Sequence, residues 1–302
     1  MKLCMYAFFR DILEREGPHE AVRFVKACGF DAFEVLEALR PGSQPLFASL
    51  EDAKTLRALM DEKGLRCACY SISANVLAEN MGKGYDQSCV EALMRCADMA
   101  RILGSPYFHH TLTIGYVPKN AAMDSLDAIL EELLDRASQV AAYANGLGLI
   151  VLYEPQGFYV NGIEGFARFY EGMKQRGYRI GVCGDMGNSL YVNCAPDAFF
   201  AKYASEILHV HLKDQHVEDA ELNRENAARS RSWNAIRDGR YITETRLGEG
   251  MVDIDACMAC LKEAKYDGYY AFETCYWNNL SVSLKQNLMR DCTFMLEKYP
   301  EH

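Results

Sequence analysis

The chain has 302 residues, 50% of them hydrophobic, and a formal net charge of -10 at pH 7. This length allows one large core or two ordinary domains. Nucleic-acid binding needs clustered Lys and Arg, and no such cluster is visible, so the composition argues against that function and favours a small-molecule partner.

The twelve cysteines do not by themselves indicate disulfides. The N-terminus MKLCMYAFFR lacks the apolar core and the cleavage site of a secretory signal. No apolar run approaches the ~20 residues of a membrane span. We therefore expect reduced cysteines in a cytoplasmic protein without a membrane partner.

Strand-like and helix-like segments alternate along the chain. Short apolar runs predict strands at 2–8, 30–38, 65–73, 106–112, 148–154, 178–184, 207–212 and 268–274. Helical spacing of apolar residues predicts helices at 18–28, 51–64, 86–104, 124–147, 163–177, 196–205, 253–265 and 282–298. Eight such units predict an α/β fold, a (β/α)8 TIM barrel that spans 1–302 as a single domain.

The alternative fold is an open doubly wound sheet, but AFFRDIL follows the first strand where that fold carries a glycine-rich loop. The segments 39–50, 113–123 and 214–250 are long and follow strands, which indicates an elaborated catalytic face. The longest, 214–250, contains Trp233 and Tyr241, and we expect a lid, a subunit contact or a solvated loop there.

Four metal-competent side chains stand at the ends of successive apolar runs: Glu154, Asp185, His211 and Glu273. The ends of parallel barrel strands converge, so these groups are expected to meet around one divalent cation. Taken singly, each carboxylate could equally well cap the following helix, and the histidine could equally well be a buried core residue. An oxygen-rich set with one nitrogen favours Mn2+, with Mg2+ or Co2+ as alternatives.

Further candidates lie on the same face of the predicted barrel. His109 and His110 alternate in direction, so at most one points inward, and His110 is slightly preferred as an acid/base or substrate contact. Lys213 follows His211 by two residues and is expected on the same side, where it can stabilise an oxyanion. Asp214 could be a functional residue of this face or, equally, a helix cap. The weaker substrate-binding candidates are Tyr6, Glu34, Gln156 and Trp277.

The stretches AVRFVKACGFDAFEV, HVHLKD and LGEGMVDIDACMACLKEAKYDGYYAFE resemble the xylose isomerase-like TIM-barrel superfamily. Its members include ketose 3-epimerases, hydroxypyruvate isomerases, inosose dehydratases and endonuclease IV. In the epimerases a Glu, an Asp, a His and a Glu bind the metal, and they match Glu154, Asp185, His211 and Glu273 here.

The resemblance implies catalysis by proton abstraction next to a metal-bound carbonyl, through an enediolate. Glu154 and Glu273 would act as ligands and as acid/base groups on opposite faces of the substrate. Reprotonation from the other face gives an epimerase, proton transfer to the neighbouring carbon gives an isomerase, and loss of a β-substituent gives a lyase.

Three positions depart from the ketohexose epimerase pattern. Asn188 stands where those enzymes carry a His, Val160 replaces a substrate-binding Glu, and Val217 replaces an Arg. These changes put a free ketohexose substrate in doubt. Asn188 itself remains a candidate for binding substrate.

Three other functions are compatible with the resemblance. The first is a lyase that cleaves 3-oxo-glycosides, like the catalytic subunits of C-glycoside deglycosidases, which pair with a small β-rich subunit. The second, an endonuclease IV-type enzyme, is disfavoured by seven histidines and the negative net charge. The third is a non-catalytic sugar-binding barrel. We expect a carbohydrate or oxo-sugar ligand and a homo-oligomer, with the hetero-oligomer as the alternative.

Overall fold

The structure is a computed structural model that describes residues 1–39, 44–77, 87–113, 125–219, 233–274 and 284–301. Eight parallel strands close into a barrel, and each pairs with its neighbours around the ring. These strands are β1 (Lys2–Met5), β2 (Ala32–Ala38), β3 (Arg66–Ser73), β4 (Tyr107–His110), β5 (Ile150–Tyr153), β6 (Ile180–Asp185), β7 (Ile207–Leu212) and β11 (Tyr269–Phe272). The predicted single-domain (β/α)8 barrel is confirmed.

The α-helices follow the barrel strands in the sequence. They are α1 (Ala7–Glu16), α2 (Pro18–Ala27), α3 (Leu50–Lys63), α4 (Gln87–Leu103), α5 (Leu126–Gly146), α6 (Gly162–Gln175), α7 (Pro196–Tyr203), α8 (Ile254–Glu263) and α9 (Leu284–Lys298). Within the described ranges, no helix combines the length and apolar character needed to cross a membrane.

Helix α3 illustrates how the sequence determines a local element. Ser49 and Asp52 form a reciprocal capping box at its start, and Gly64 ends it in the left-handed conformation with φ 63°. Ala53, Leu56 and Met60 are fully buried. Their spacing of three and four residues gives the helix one apolar face, which packs into the core.

The N-terminal strand is shorter than its apolar run predicts. β1 ends at Met5, and α1 begins at Ala7, within the predicted strand 2–8. Phe8, Phe9 and Ile12 are all buried, a spacing that fits one helical face rather than the alternation of a strand. The strand prediction was therefore wrong beyond residue 5, and α1 was missed.

The segment after β7 contains regular structure that the sequence analysis did not predict. The strands β8 (Asp214–Glu218), β9 (Asn234–Ala235) and β10 (Tyr241–Thr245) form an antiparallel sheet in the order β8-β10-β9. Residues 220–232 lie outside the described part of the chain. The role of 214–250 as a lid or subunit contact stays a prediction.

Asp214 organises the return of this segment to the barrel and does not cap a helix. Its carboxylate accepts backbone N–H groups from Gln215 at 2.8 Å, Gly248 and Gly250 at 2.9 Å and Val252 at 3.2 Å. A Cβ at Gly250 would lie 2.0 Å from Asp214 Oδ1. The LGEG motif thus wraps closely around a buried carboxylate.

Candidate metal centre

Strand geometry brings the four predicted ligands together at one end of the barrel. Glu154 directly follows β5, Asp185 ends β6, His211 lies in β7 and Glu273 directly follows β11. One ligand atom from each of the four lies within 4.8 Å of the others. The His211 Nδ1 atom is 3.0 Å from Glu273 Oε2, 3.3 Å from Glu154 Oε2 and 3.8 Å from Asp185 Oδ2.

The four facing atoms share one further property, which is that none makes a well-formed hydrogen bond to the described residues. They are Glu154 Oε2, Asp185 Oδ2, His211 Nδ1 and Glu273 Oε2, of which Asp185 Oδ2 has an ionic contact with the Lys213 ammonium at 3.2 Å. Buried polar atoms nearly always form hydrogen bonds, so four such atoms directed at one point indicate a site for a shared partner. Three carboxylate oxygens and an imidazole nitrogen are ligands that a divalent cation accepts, and the residues therefore fit a metal ion.

The ionisation of the cluster reflects burial and close charges. Burial raises the pKa of Glu154 and that of Asp185. Burial also opposes ionisation of Glu273, but the Lys213 ammonium and His211 outweigh it and hold its pKa below the ordinary value. For His211, burial is outweighed by Cys183, Glu34 and Glu154, and its pKa is raised. Three carboxylates thus share the site with one imidazole and one ammonium, and a bound cation would favour the ionised form of each carboxylate.

Lys213 lies at the site, as predicted from strand alternation. Its ammonium is 2.9 Å from Glu273 Oε1, 3.2 Å from Asp185 Oδ2 and 3.1 Å from Asn188 Oδ1. Burial disfavours its charge, yet Asp185 and Glu273 raise its pKa well above the ordinary value. Asn188 is also brought to the site, and its Nδ2 atom has no partner within the described residues.

The structure reverses the expected order of the two adjacent histidines. His109 points into the barrel, with Nε2 3.5 Å from Glu154 Oε1. His110 points outward, where its ring meets Tyr153 edge-on at 5.4 Å. Phe108 packs in the main hydrophobic core, so strand alternation turns His109 inward and His110 outward, and the preference for His110 was wrong. Burial, as the main cause, lowers the pKa of His109 to about 3 and that of His110 to about 4.

The other substrate-binding candidates have different positions. The Tyr6 ring stacks on the His211 ring, with centroids 4.8 Å apart. Gln156 is partly buried and its Oε1 has no partner in the described chain, but no contact joins it to the ligand cluster. Trp277 lies outside the described residues.

Glu34, a weaker candidate from the sequence, lies directly behind the cluster. Its carboxylate contacts His209 Nε2 at 2.6 Å, His211 Nε2 at 3.1 Å and the Ser71 hydroxyl. Burial opposes its charge, but His211 and His209 outweigh it and lower its pKa. His209 and Ser71 were missed, although His209 shares the inward side of β7 with His211 by simple alternation.

Comparisons with known proteins agree with this architecture. A family model described as a xylose isomerase-like TIM barrel matches residues 22–295. No curated protein matches the sequence.

Solved structures share the fold at low sequence identity. The IolI protein with a bound zinc atom is 14% identical, with a TM-score of 0.73 and full coverage of both chains. D-allulose 3-epimerase from Methylomonas sp. is 16% identical, with a TM-score of 0.69 over 99% of this chain and 98% of that one. The 3-keto-D-glucoside 4-epimerase YcjR from E. coli is 16% identical, with a TM-score of 0.66 over 97% and 99%. The family match, together with the closed barrel, shows that the chain belongs to the xylose isomerase-like TIM barrels.

Proposed function

We propose that the chain is a divalent-metal-dependent sugar isomerase or epimerase. The observation that supports this most is a set of four buried atoms on Glu154, Asp185, His211 and Glu273, which face one another without well-formed hydrogen bonds. Zinc in the IolI protein and the epimerase names of two other structural neighbours support this class. Mn2+ is the proposed ion, with Mg2+ or Co2+ as alternatives.

The cation, when bound, supplies the Lewis acidity that weakens a C–H bond next to a carbonyl group. Glu154 and Glu273 lie in the same cluster and are the proposed pair that removes and returns the carbon proton. Lys213 holds its ammonium between Asp185 and Glu273, where it stabilises negative charge on a substrate oxygen. Tyr6 stacks on the His211 ring.

The substrate is proposed to be a small unphosphorylated carbohydrate or oxo-sugar. Lys213 is the one cation contacting the ligand cluster in the described chain, and it already bridges two carboxylates. A single ammonium shared with two carboxylates can stabilise one developing charge on a substrate oxygen but offers too little positive charge for a phosphate dianion. A homo-oligomer is the proposed assembly.

A second candidate is a lyase acting on 3-oxo-glycosides, with the same metal site and a small β-rich partner subunit. The Asn188, Val160 and Val217 replacements favour it, because they remove the side chains that the ketohexose epimerases use. The structural likeness to a 3-keto-D-glucoside 4-epimerase also supports an oxidised glucoside as substrate.

One experiment in D2O with Mn2+ tests both candidates. The purified protein is given D-allulose, D-tagatose and an aryl 3-keto-glucoside, and NMR follows deuterium incorporation and product formation. An epimerase or isomerase exchanges a carbon-bound proton and interconverts the sugars, whereas a lyase releases the aryl alcohol.

Two variants control this experiment. Glu154→Gln and Glu273→Gln should each reduce exchange by at least a hundredfold, because each removes a group that transfers a proton. Exchange at the wild-type rate in both variants would contradict the assignment. A protein that neither exchanges protons nor binds Mn2+ would instead be the non-catalytic barrel.

A further inference from the structure

A buried carboxylate collects three hydrogen-bond donors immediately behind the proposed metal centre. Glu34 Oε2 lies 2.6 Å from His209 Nε2, and Oε1 lies 3.1 Å from His211 Nε2 and within contact of the Ser71 hydroxyl. Glu34 and His209 are completely buried, and Ser71 is nearly so. The three contacts therefore occur away from water, where each proton needs a definite position.

The direction of each hydrogen bond follows from the chemistry of the partners. An ionised carboxylate only accepts, so Ser71 must donate its single hydroxyl proton to Glu34. The Ser71 oxygen then has only lone pairs for its next neighbour, His109 Nδ1, at 3.0 Å. His109 must donate from Nδ1, and its neutral ring carries a lone pair on Nε2.

The same reasoning applies to the metal-binding candidate His211. Its Nε2 donates to Glu34, so Nδ1 is the ring atom that faces Glu154 and Glu273 and would bind the cation in place of a proton. One carboxylate thus determines the proton position on three imidazole rings, directly for His209 and His211 and through Ser71 for His109. Carboxylates commonly orient metal-binding histidines in this way, and here the same carboxylate also reaches His109.

The Nε2 lone pair of His109 faces the candidate site. Its Nε2 atom is buried, has no partner among the described residues and stands 3.5 Å from Glu154 Oε1. The Nε2 atom therefore needs a donor from a bound molecule. A substrate hydroxyl group next to the carbon from which Glu154 removes a proton would donate its single proton to Nε2.

We propose that Glu34 and Ser71 are positioning residues that hold His109 as a hydrogen-bond acceptor for a substrate hydroxyl, while Glu34 aims His211 at the cation. The substrate part rests on the proposed function, since it assumes a hydroxylated carbonyl compound. The proton positions on the two rings belong to the protein alone.

The first test measures those proton positions without metal or substrate. In metal-free protein labelled with 15N-histidine, long-range 1H–15N spectra should show His109 protonated on Nδ1 and His211 on Nε2. Ser71→Ala should abolish the preference at His109 and leave His211 unchanged. A His109 ring protonated on Nε2, or one indifferent to Ser71→Ala, would overturn the inference.

The second test separates the two branches through metal affinity, with Mn2+ alone as the probe. Glu34→Gln should weaken Mn2+ binding 10–100-fold in calorimetry. Ser71→Ala should change it by less than about threefold, because that residue serves only the His109 branch. Glu34→Asp is the second variant should Glu34→Gln fail to fold. Unchanged affinity in a folded Glu34 variant would refute the His211 branch.

The third test addresses the hydroxyl group, with D-allulose and D-tagatose added to Mg2+-loaded protein. Binding should move the His109 Nε2 resonance while Nδ1 keeps its proton, and His109→Phe should weaken sugar binding at least tenfold without changing Mn2+ affinity. Sugar binding that leaves Nε2 unmoved would overturn the hydroxyl assignment. Failure of D-allulose, D-tagatose and an aryl 3-keto-glucoside alike to bind would contradict the proposed substrate class, and the first test would still decide the proton positions.

Discussion

Lys213 is the side chain on which the charge balance of the site depends most. It is 4% exposed and lies between Asp185 and Glu273, so its ammonium is their nearest cationic partner within the described chain. Removing one member of a buried ion pair leaves the other charge uncompensated, which costs more than the pair itself contributes.

Lys213→Met should therefore destabilise the metal-free protein by about 3–5 kcal/mol. Urea unfolding in EDTA at pH 7.5 measures the loss. The matched control is Lys174→Met, which breaks the partly exposed contact between Lys174 and Glu206 at 3.3 Å. That change should cost less than about 1 kcal/mol, because water screens the pair. Equal losses in the two variants would contradict the buried-pair interpretation.

Asp291 is a second buried acid, away from the proposed metal ligands. It is fully buried, and burial raises its pKa from 3.8 to about 7. The folded protein therefore holds a proton that the unfolded chain releases near pH 4. Its contribution to stability is fully present below pH 4 and is lost as the pH rises to about 7.

Asp291→Asn should remove this loss and make the protein more stable than wild type at pH 8, by an amount on the order of 2–4 kcal/mol. Unfolding free energies between pH 4 and pH 8 measure the effect. Asp255→Asn is the control, and it should lower the unfolding free energy at pH 8 rather than raise it. The Tyr299 hydroxyl and Lys298 lower the pKa of that exposed carboxyl. A pH profile unchanged in Asp291→Asn would show that the carboxyl is ionised in the fold.

At the scale of secondary-structure elements, the sequence patterns that predicted the structure best were those that repeat along the chain. Each predicted barrel strand is present, because eight apolar runs at regular intervals leave few other topologies. The proposed ligand set came from the same regularity, since Glu154, Asp185, His211 and Glu273 occupy equivalent ends of successive strands. These positions are local properties of the sequence.

The features that were missed depend on contacts distant in the sequence. Strand alternation separates His109 from His110, but only the packing of Phe108 against the helices shows which one faces inward. Asp214 recruits amide groups from Gly248 and Gly250, more than thirty residues away. The small sheet between them has short strands, which carry little periodic signal.

The capping box of α3 gives a prediction at this scale. Ser49 Oγ accepts the Asp52 amide at 3.3 Å, and Asp52 Oδ2 accepts the Ser49 amide at 2.8 Å. Ser49→Ala should lower the unfolding free energy by about 1 kcal/mol, measured in urea. Thr55→Ala, at an exposed position inside the same helix, should be neutral or slightly stabilising. A loss as large in Thr55→Ala would indicate a general effect on the helix rather than a lost cap.

For the whole molecule, the proposed cation would connect distant parts of the chain. Its four ligands come from the ends of β5, β6, β7 and β11, which are neighbours in the closed barrel but span 154 to 273 in the sequence. The unfolded chain does not hold these groups together. Ion binding should therefore stabilise the folded state specifically.

Mn2+ at a hundred times its Kd should stabilise the fold by about 2.7 kcal/mol, which corresponds to a rise in Tm on the order of 5 °C for a protein of this size. Differential scanning calorimetry of protein stripped with EDTA and titrated with Mn2+ measures the rise. Asp185→Asn should abolish most of it, because the ion then loses one of three carboxylates from a site with a single nitrogen ligand. The exposed change Asp127→Asn should leave it intact, since this residue contacts Arg168 and none of the ligands. An equal rise in wild type and Asp185→Asn would mean that Mn2+ binds elsewhere, and the shared-cation interpretation would fail for the molecule as a whole.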